Sequence, residues 1–381
     1  MYRREITKLL KSVASKYPVI TLIGPRQSGK STLSRAVFSS YTYVSLEEPD
    51  QRRLALDDPR GFFKKYQGDL VIDEVQRAPE LLSYIQTLVD EPESTRRFVL
   101  TGSHQLLLME KVTQSLAGRT FICKLLPFSR KELLPHQPTQ DLETQIFTGG
   151  YPRIYDKALS PTQWLEQYYQ TYVERDVRIL TRVADLDLFD RFVRLCAGRS
   201  GQLLNLASLG SDCGISQPTA NAWLGMLQTS FLCFTLAPHF KNFSKRLIKS
   251  PKLYFYDTGL LCYLLKVEKP DALLHHPLRG SIFENWVITE RIKSYLNQGW
   301  EPPLYFWRDT KGHEVDLVID EGEHLYPVEI KSGRTFHSDF VKDIHYLNHL
   351  QKQQQGECIY AGDDSFEFKG LKIRSWSKLE P

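Results

Sequence analysis

Cysteine is sparse and unpaired. Six cysteines are scattered at positions 123, 196, 213, 233, 262 and 358, with no CxxC pair among them. That spacing excludes a disulfide-stapled scaffold and a cysteine cage for zinc, and it fits a reducing compartment such as the cytoplasm. The ten histidines add no spacing typical of a metal site. Long apolar runs are lacking as well: none approaches the ~18 residues a membrane span needs. The apolar segment near the N-terminus, residues 19–23, is short and runs straight into a glycine loop, so neither a signal peptide nor a membrane partner is expected. Excess charge of one sign is also absent. Lys plus Arg number 49 against 45 Asp plus Glu, a net charge of +4, which permits local basic patches without dictating a nucleic-acid partner. With 41% apolar and 25% charged residues, the chain is an ordinary globular one. Its 381 residues, at roughly 100–200 per domain, make two or three domains.

What the chain does have begins at residue 19. Val19-Ile20-Thr21-Leu22-Ile23 reads as a buried strand, Gly24-Pro25-Arg26-Gln27-Ser28-Gly29-Lys30-Ser31 follows, and Thr32 opens a segment that can be helical. This is the GxxxxGK[ST] phosphate loop between a strand and a helix. Its glycines let backbone N–H groups turn inward, and the helix N-terminus adds positive potential. Gly24, Arg26, Gln27, Ser28, Gly29, Lys30, Ser31 and Thr32 are therefore the expected nucleotide-binding set. Lys30 is expected on the β- and γ-phosphates and the Ser31 hydroxyl on Mg²⁺. A second apolar strand, residues 69–73, ends in Asp73-Glu74. Asp73 is placed to hold the Mg²⁺ shell, and Glu74 to polarise a water towards the γ-phosphate.

Further strands are expected at 43–46, 97–101 and 121–125, with helical stretches between them, which makes a parallel α/β sheet. Thr101 or Ser103, at the end of the 97–101 strand, is a candidate for positioning the attacking water, or else part of a simple turn. Arg119 is a candidate arginine finger, in cis or from a neighbouring copy, or else a solvated arginine. No NKxD-like segment for guanine occurs, and the second acid favours hydrolysis, so ATP with Mg²⁺ is the expected cofactor pair.

Pro127, Pro135 and Pro138 mark a boundary. Beyond it Trp164, Tyr168 and Tyr172 line one helix face, a spacing expected to serve packing. That helix is expected to run on into a charged patch at 174–178. Residues 203–209 and 215–224 outline a helix-turn-helix, with Ser216 as N-cap and Pro218 in the first turn. Gln217, Thr219 and Asn221 then become candidate base-reading groups. Strands at 231–236 and 253–256 suit a wing, and the basic run Lys241, Lys245, Arg246, Lys249 and Lys252 suits phosphate contact. Interdomain packing is the alternative use of the same fold.

The last hundred residues read αβββαβ. Asp316 lies on one expected strand. Glu329 and Lys331 lie on the next, two apart and so on one side of it. Glu284 on the preceding helix can reach in. Acids that gather metal and a lysine that offsets developing charge form the D…(E/D)xK pattern of Mg²⁺-dependent nucleases. Asp316 and Glu329 are the expected metal ligands; a salt bridge between hairpin strands is the alternative.

GPRQSGKS at 24–31, LVIDEVQ at 70–76, LTGS at 100–103, LAGR at 116–119, FWRDTKGHEVDLVID at 306–320 and PVEIKSG at 327–333 together resemble a prokaryotic family. In it an AAA-type ATPase core is joined to a C-terminal region with the look of a restriction endonuclease. With the reading of the middle, the expected organisation is a P-loop ATPase domain at 1–135, a helical connector at 136–200, a winged-helix-like domain at 201–272 and, as the resemblance implies, a PD-(D/E)xK nuclease-like domain at 273–381. Lys30, Ser31, Asp73 and Glu74 would carry nucleotide chemistry, and Glu284, Asp316, Glu329 and Lys331 the nuclease-like site. The expected function is an ATPase acting on or with DNA whose tail cleaves or nicks it. The alternative is a nucleotide-driven signalling or scaffold ATPase with a non-cleaving tail, whose partners would be proteins or further copies of the chain.

Overall fold

The computed structural model describes residues 2–102, 112, 114–173, 186–239 and 250–379. Strands β1 (Val19–Ile23), β2 (Thr42–Ser45), β3 (Leu70–Asp73), β4 (Phe98–Gly102) and β5 (Thr120–Lys124) form one sheet in the order β2-β3-β4-β1-β5. Every pairing is parallel. All five expected strands are present, displaced by no more than about a residue at either end. β1 is buried along its whole length, as a central strand covered on both faces must be. Its alternate residues divide the core. Ile20 and Leu22 pack with Leu10 and Val13 of the N-terminal helix Thr7–Ala14 and with Ile6 just before it, while Val19 and Ile23 join a larger core beyond the other face.

That larger core reaches from Leu81 and Ile85 through Phe192 and Trp223 to Phe283 and Ile330, and two smaller clusters, around Ile344 and around Trp307, complete the tail. Trp164 and Tyr168 of the aromatic stripe pack into the larger core, stacking at 5.1 Å, and Tyr151 lies 4.8 Å from Tyr168. The charged patch at 174–178 lies outside the described residues. Helices Leu206–Cys213 and Gln217–Thr229 follow one another across a turn, and the Ser216 hydroxyl accepts the Thr219 N–H at 3.2 Å, as expected of an N-cap. β6 (Cys233–Leu236) and β7 (Lys252–Phe255) form an antiparallel hairpin. Residues 201–204 add to it through Gly201 N–H to Leu253 O and Leu204 N–H to Pro251 O, both 2.7 Å.

The tail is a long helix, Arg279–Asn297, followed by β8 (Leu304–Arg308), β9 (Glu314–Asp320), β10 (Leu325–Lys331), helix Lys342–Gln351 and β11 (Glu357–Tyr360). This is the expected αβββαβ order. Two strands extend it, β12 (Phe366–Phe368) and β13 (Leu371–Ser375), giving the sheet order β12-β13-β11-β10-β9-β8.

Candidate functional site

The glycine loop leaves the C-terminal end of β1 and enters helix Lys30–Val37. Gly24 is required there because a β-carbon would sit 2.1 Å from the Leu125 carbonyl oxygen. Gly29 caps the helix at φ +94°, in the left-handed region. Lys30 is 5% exposed, and its ammonium donates to Gly24 O at 2.9 Å and Pro25 O at 2.8 Å. Burial lowers its pKa to about 8, against the opposing pull of Glu74 and Asp73. Arg26, Gln27, Gly29, Lys30, Ser31 and Thr32 line a cleft of about 540 Å³. Gly24 and Ser28 sit behind it and shape the loop.

β3 delivers the two acids differently. Asp73 is buried; its carboxylate accepts the Tyr43 hydroxyl at 2.5 Å and the Thr101 hydroxyl. Glu74 lines the cleft at φ +57°, a left-handed conformation that costs a non-glycine residue energy and is found at working sites. Thr101 Oγ1 also lies 3.4 Å from the Glu74 N–H, so the threonine ties both acids to β4. Ser103 lies outside the described residues. Every candidate ligand here is an oxygen, and hydroxyl beside carboxylate is a donor set that suits a hard cation such as Mg²⁺.

The opposite wall was not legible in the sequence. It comprises Tyr2, Arg4, Phe128, Pro152 and Arg153. Arg4 is buried, donating to Glu132 Oε1 at 2.9 Å, Ser28 O at 2.8 Å and Leu126 O at 2.6 Å. It thereby ties the phosphate loop to the end of the sheet. Phe128 and Gly150 are held from outside: Phe128 N–H donates to Gly150 O at 2.7 Å, and Gly150 N–H donates to Asp257 Oδ2 at 2.7 Å. From the long tail helix, Lys293 donates to Phe128 O at 2.9 Å and Glu290 Oε2 accepts the Arg130 N–H at 2.7 Å.

Arg119 is not part of this cleft. Its carbonyl accepts the Val19 N–H, which puts it where the strands start, whereas the glycine loop leaves where they end, ~13 Å along β1. Asp90 holds its guanidinium through two bonds of 2.6 Å. An arginine finger in cis is therefore excluded by the parallel order of the strands.

The four tail residues do converge. The β9–β10 ladder ends at Val328–Leu317, and there Asp316 Oδ2 accepts the Ile330 N–H at 2.9 Å. Lys331 pairs with Asp316 at 3.3 Å and with Glu329. Glu284 accepts the Tyr254 hydroxyl at 2.5 Å and the Lys252 ammonium at 3.1 Å. Lys252 also meets Glu314 at 2.5 Å. Burial, reinforced by Asp316, raises the Glu329 carboxyl well above the usual range. Burial, opposed by Lys252, raises Glu284 to about 7. Two expectations change here. Lys252, its side chain 3% exposed, is no surface phosphate contact; the rest of its basic run lies outside the described residues. And among the described residues no group of three or more His, Cys, Asp or Glu side chains is arranged to hold a metal. Lys331 pairs with both Asp316 and Glu329, so these two acids already share a protein cation and do not fit a divalent ion as they are placed.

A parallel sheet with a glycine loop at the C-terminal end of β1, a buried lysine in that loop and an acid pair at the end of β3, beyond the intervening β4, define a P-loop ATPase domain of the AAA type, and residues 16–134 match the family described as AAA domain. Residues 139–271 and 279–379 match two families described as domains of unknown function, DUF8612 and DUF4143. Uncharacterized protein Rv2008c of Mycobacterium tuberculosis is 32% identical over 338 residues, covering 87% of this chain and 74% of its own length. Uncharacterized protein Mb2031c of Mycobacterium bovis gives the same values. The chain belongs to the family of these mycobacterial proteins. Among solved structures, a Walker-type ATPase of Pyrococcus abyssi is similar at 16% identity and a TM-score of 0.47, covering 69% of this chain and 96% of that one. No helix among the described residues is long and apolar enough to cross a membrane.

Proposed function

We propose that the protein binds ATP with Mg²⁺ in the P-loop cleft, hydrolyses it, and acts with DNA as a nucleotide-driven switch. One observation carries the reading. Lys30, Ser31 and Glu74 line a single cleft whose far wall is bonded to the middle and tail units through Asp257 and Lys293. The loop N–H groups and the Lys30 ammonium bind the phosphates, with Lys30 exchanging two loop carbonyls for phosphate oxygens. Glu74 accepts the proton of the attacking water. Magnesium, held by Ser31 with Asp73 behind it, would supply charge neutralisation at the phosphates. The DNA part rests on Gln217 and Asn221, which are exposed at the start of helix Gln217–Thr229.

ATP turnover by wild type, Lys30→Ala and Glu74→Gln, with and without DNA, tests this. Lys30→Ala is expected to lose nucleotide binding. Glu74→Gln is expected to keep binding and lose roughly 10²–10⁴-fold in turnover. Turnover that survives both substitutions rejects the reading. A second reading, that the tail cleaves DNA once the lysines now paired with its acids give way to a metal ion, is supported by the convergence of Glu284, Asp316, Glu329 and Lys331. Nicking of plasmid DNA in Mg²⁺ or Mn²⁺, lost in Asp316→Ala and in Lys331→Ala, would support it. No cleavage by well-folded wild type leaves the non-cleaving switch.

A further inference from the structure

The tail cluster holds a cation already, and that cation comes from another part of the chain. Lys252 belongs to β7, where it pairs with Leu236 across the middle hairpin. Its ammonium lies over the Phe306 ring, 5.4 Å from the ring centre. The ammonium meets Glu284 of the long helix at 3.1 Å and Glu314 of β9 at 2.5 Å. Tyr254, from the same strand, donates to the same Glu284 oxygen at 2.5 Å. Lys331 neutralises the other half of the cluster, Asp316 and Glu329, and Arg308 flanks it 3.0 Å from Glu314. Four carboxylates thus face three protein cations, and among the described residues Glu329 Oε2 is buried without a hydrogen-bond partner.

A lysine buried this deeply costs free energy unless it is paired, and an apolar contact of the same shape would stabilise the junction as well. What the charge adds is selectivity: the hairpin can dock on the tail only where these acids wait for it. We infer that Lys252 is the resident cation of the tail's acidic cluster, locking the middle hairpin to the tail and standing where a divalent ion would otherwise compete for Glu284 and its neighbours. The cluster is therefore closed to metal while the hairpin is docked, and undocking the hairpin is what would open it. This goes beyond the nucleotide reading and does not depend on it.

The test uses the full, nucleotide-free chain, with Mn²⁺ binding followed by electron paramagnetic resonance and backbone exchange followed by mass spectrometry. Wild type is expected to bind no Mn²⁺ at the cluster. Lys252→Met is expected to gain Mn²⁺ affinity by on the order of tenfold or more, and Lys252→Met/Glu284→Gln to lose that gain. Amide exchange in β7 is expected to rise about tenfold in Lys252→Met. If Lys252→Met alone does not fold, the double variant should fold, because it removes the cation and a carboxylate together. The inference is overturned if wild type binds Mn²⁺ and Asp316→Asn abolishes that binding. It is equally overturned if Lys252→Met changes neither Mn²⁺ affinity nor exchange, or if both Lys252 variants fail to fold while Glu284→Gln alone folds. No readout involves ATP or DNA, so its failure and that of the ATPase reading are separable.

Discussion

Lys30, Asp73 and Glu74 were legible because their chemistry forces them into short contiguous patterns: a loop must be glycine-rich to cradle phosphate, and acids must end a buried strand to reach it. Arg4, Tyr43 and Lys252 were not, because each is an isolated residue whose side-chain hydrogen-bond partners lie 24 to 128 positions away. Burial decides how such residues behave. Glu284 shows it best, its pKa raised to about 7 by burial despite the opposing Lys252. The folded chain holds that proton more tightly than the unfolded chain, whose glutamates titrate near 4.3. The stabilising contribution is complete below the unfolded value and is lost as pH rises through about 7. Glutamine cannot ionise, so the stability of Glu284→Gln relative to wild type should climb as pH is raised from 5 to 8. The difference should reach roughly 1–3 kcal/mol. Thermal unfolding of both proteins at several pH values measures it; a difference that is flat or falling with pH means that Glu284 stays ionised throughout.

At the scale of elements, buried strands announced themselves by apolar runs, and β1, β3 and β4, buried along their whole length, lie where those runs lie. The elements that sequence reasoning passed over have weaker signals. β13 alternates buried Leu371, Ile373 and Ser375 with Lys372 and Arg374, a period-2 pattern diluted by charge. The helix Thr7–Ala14 is eight residues long and has no side-chain cap, so it depends on packing against the sheet rather than on local propensity. Its anchor is Arg4, paired with Glu132 at the far end of the ATPase unit. The capping box at Ser129 holds Glu132 in place: Glu132 Oε2 accepts the Ser129 N–H at 3.0 Å and Ser129 Oγ accepts the Glu132 N–H at 3.2 Å. Removing the carboxylate leaves a buried guanidinium short of its counter-charge. Glu132→Ala should therefore destabilise the chain by about 3–5 kcal/mol and weaken nucleotide affinity by loosening the Arg4 bond to Ser28 O. Denaturant unfolding and nucleotide titration check the two effects. Loss of stability with affinity unchanged would mean that Arg4 braces the sheet without shaping the phosphate loop.

The whole molecule is joined by one helix that touches both candidate sites. Arg279–Asn297 carries Glu284 in the acidic cluster and, about 13 Å further along its axis, Lys293 on the carbonyl of Phe128, which lines the nucleotide cleft. Glu290 pairs with Lys293 at 2.8 Å and also holds Arg130, so the cleft wall and the helix form a single bonded unit. Asp257 adds the middle unit to it through Gly150. None of this was readable from spacing, because it depends on three stretches of chain meeting at Phe128. A nucleotide that moves Phe128 must move the helix or break these bonds, and either outcome biases the contact between Glu284 and Lys252. Addition of ATP and Mg²⁺ to Glu74→Gln, which should hold the nucleotide unhydrolysed, is therefore expected to change amide exchange in β7 and in the first turns of the helix. Lys293→Met should keep ATP binding within a few-fold and remove that remote response, a coupling of about 1–3 kcal/mol. A remote response that persists undiminished in Lys293→Met would route the signal elsewhere, through Asp257 and Gly150, and Asp257→Asn would then be the variant that abolishes it.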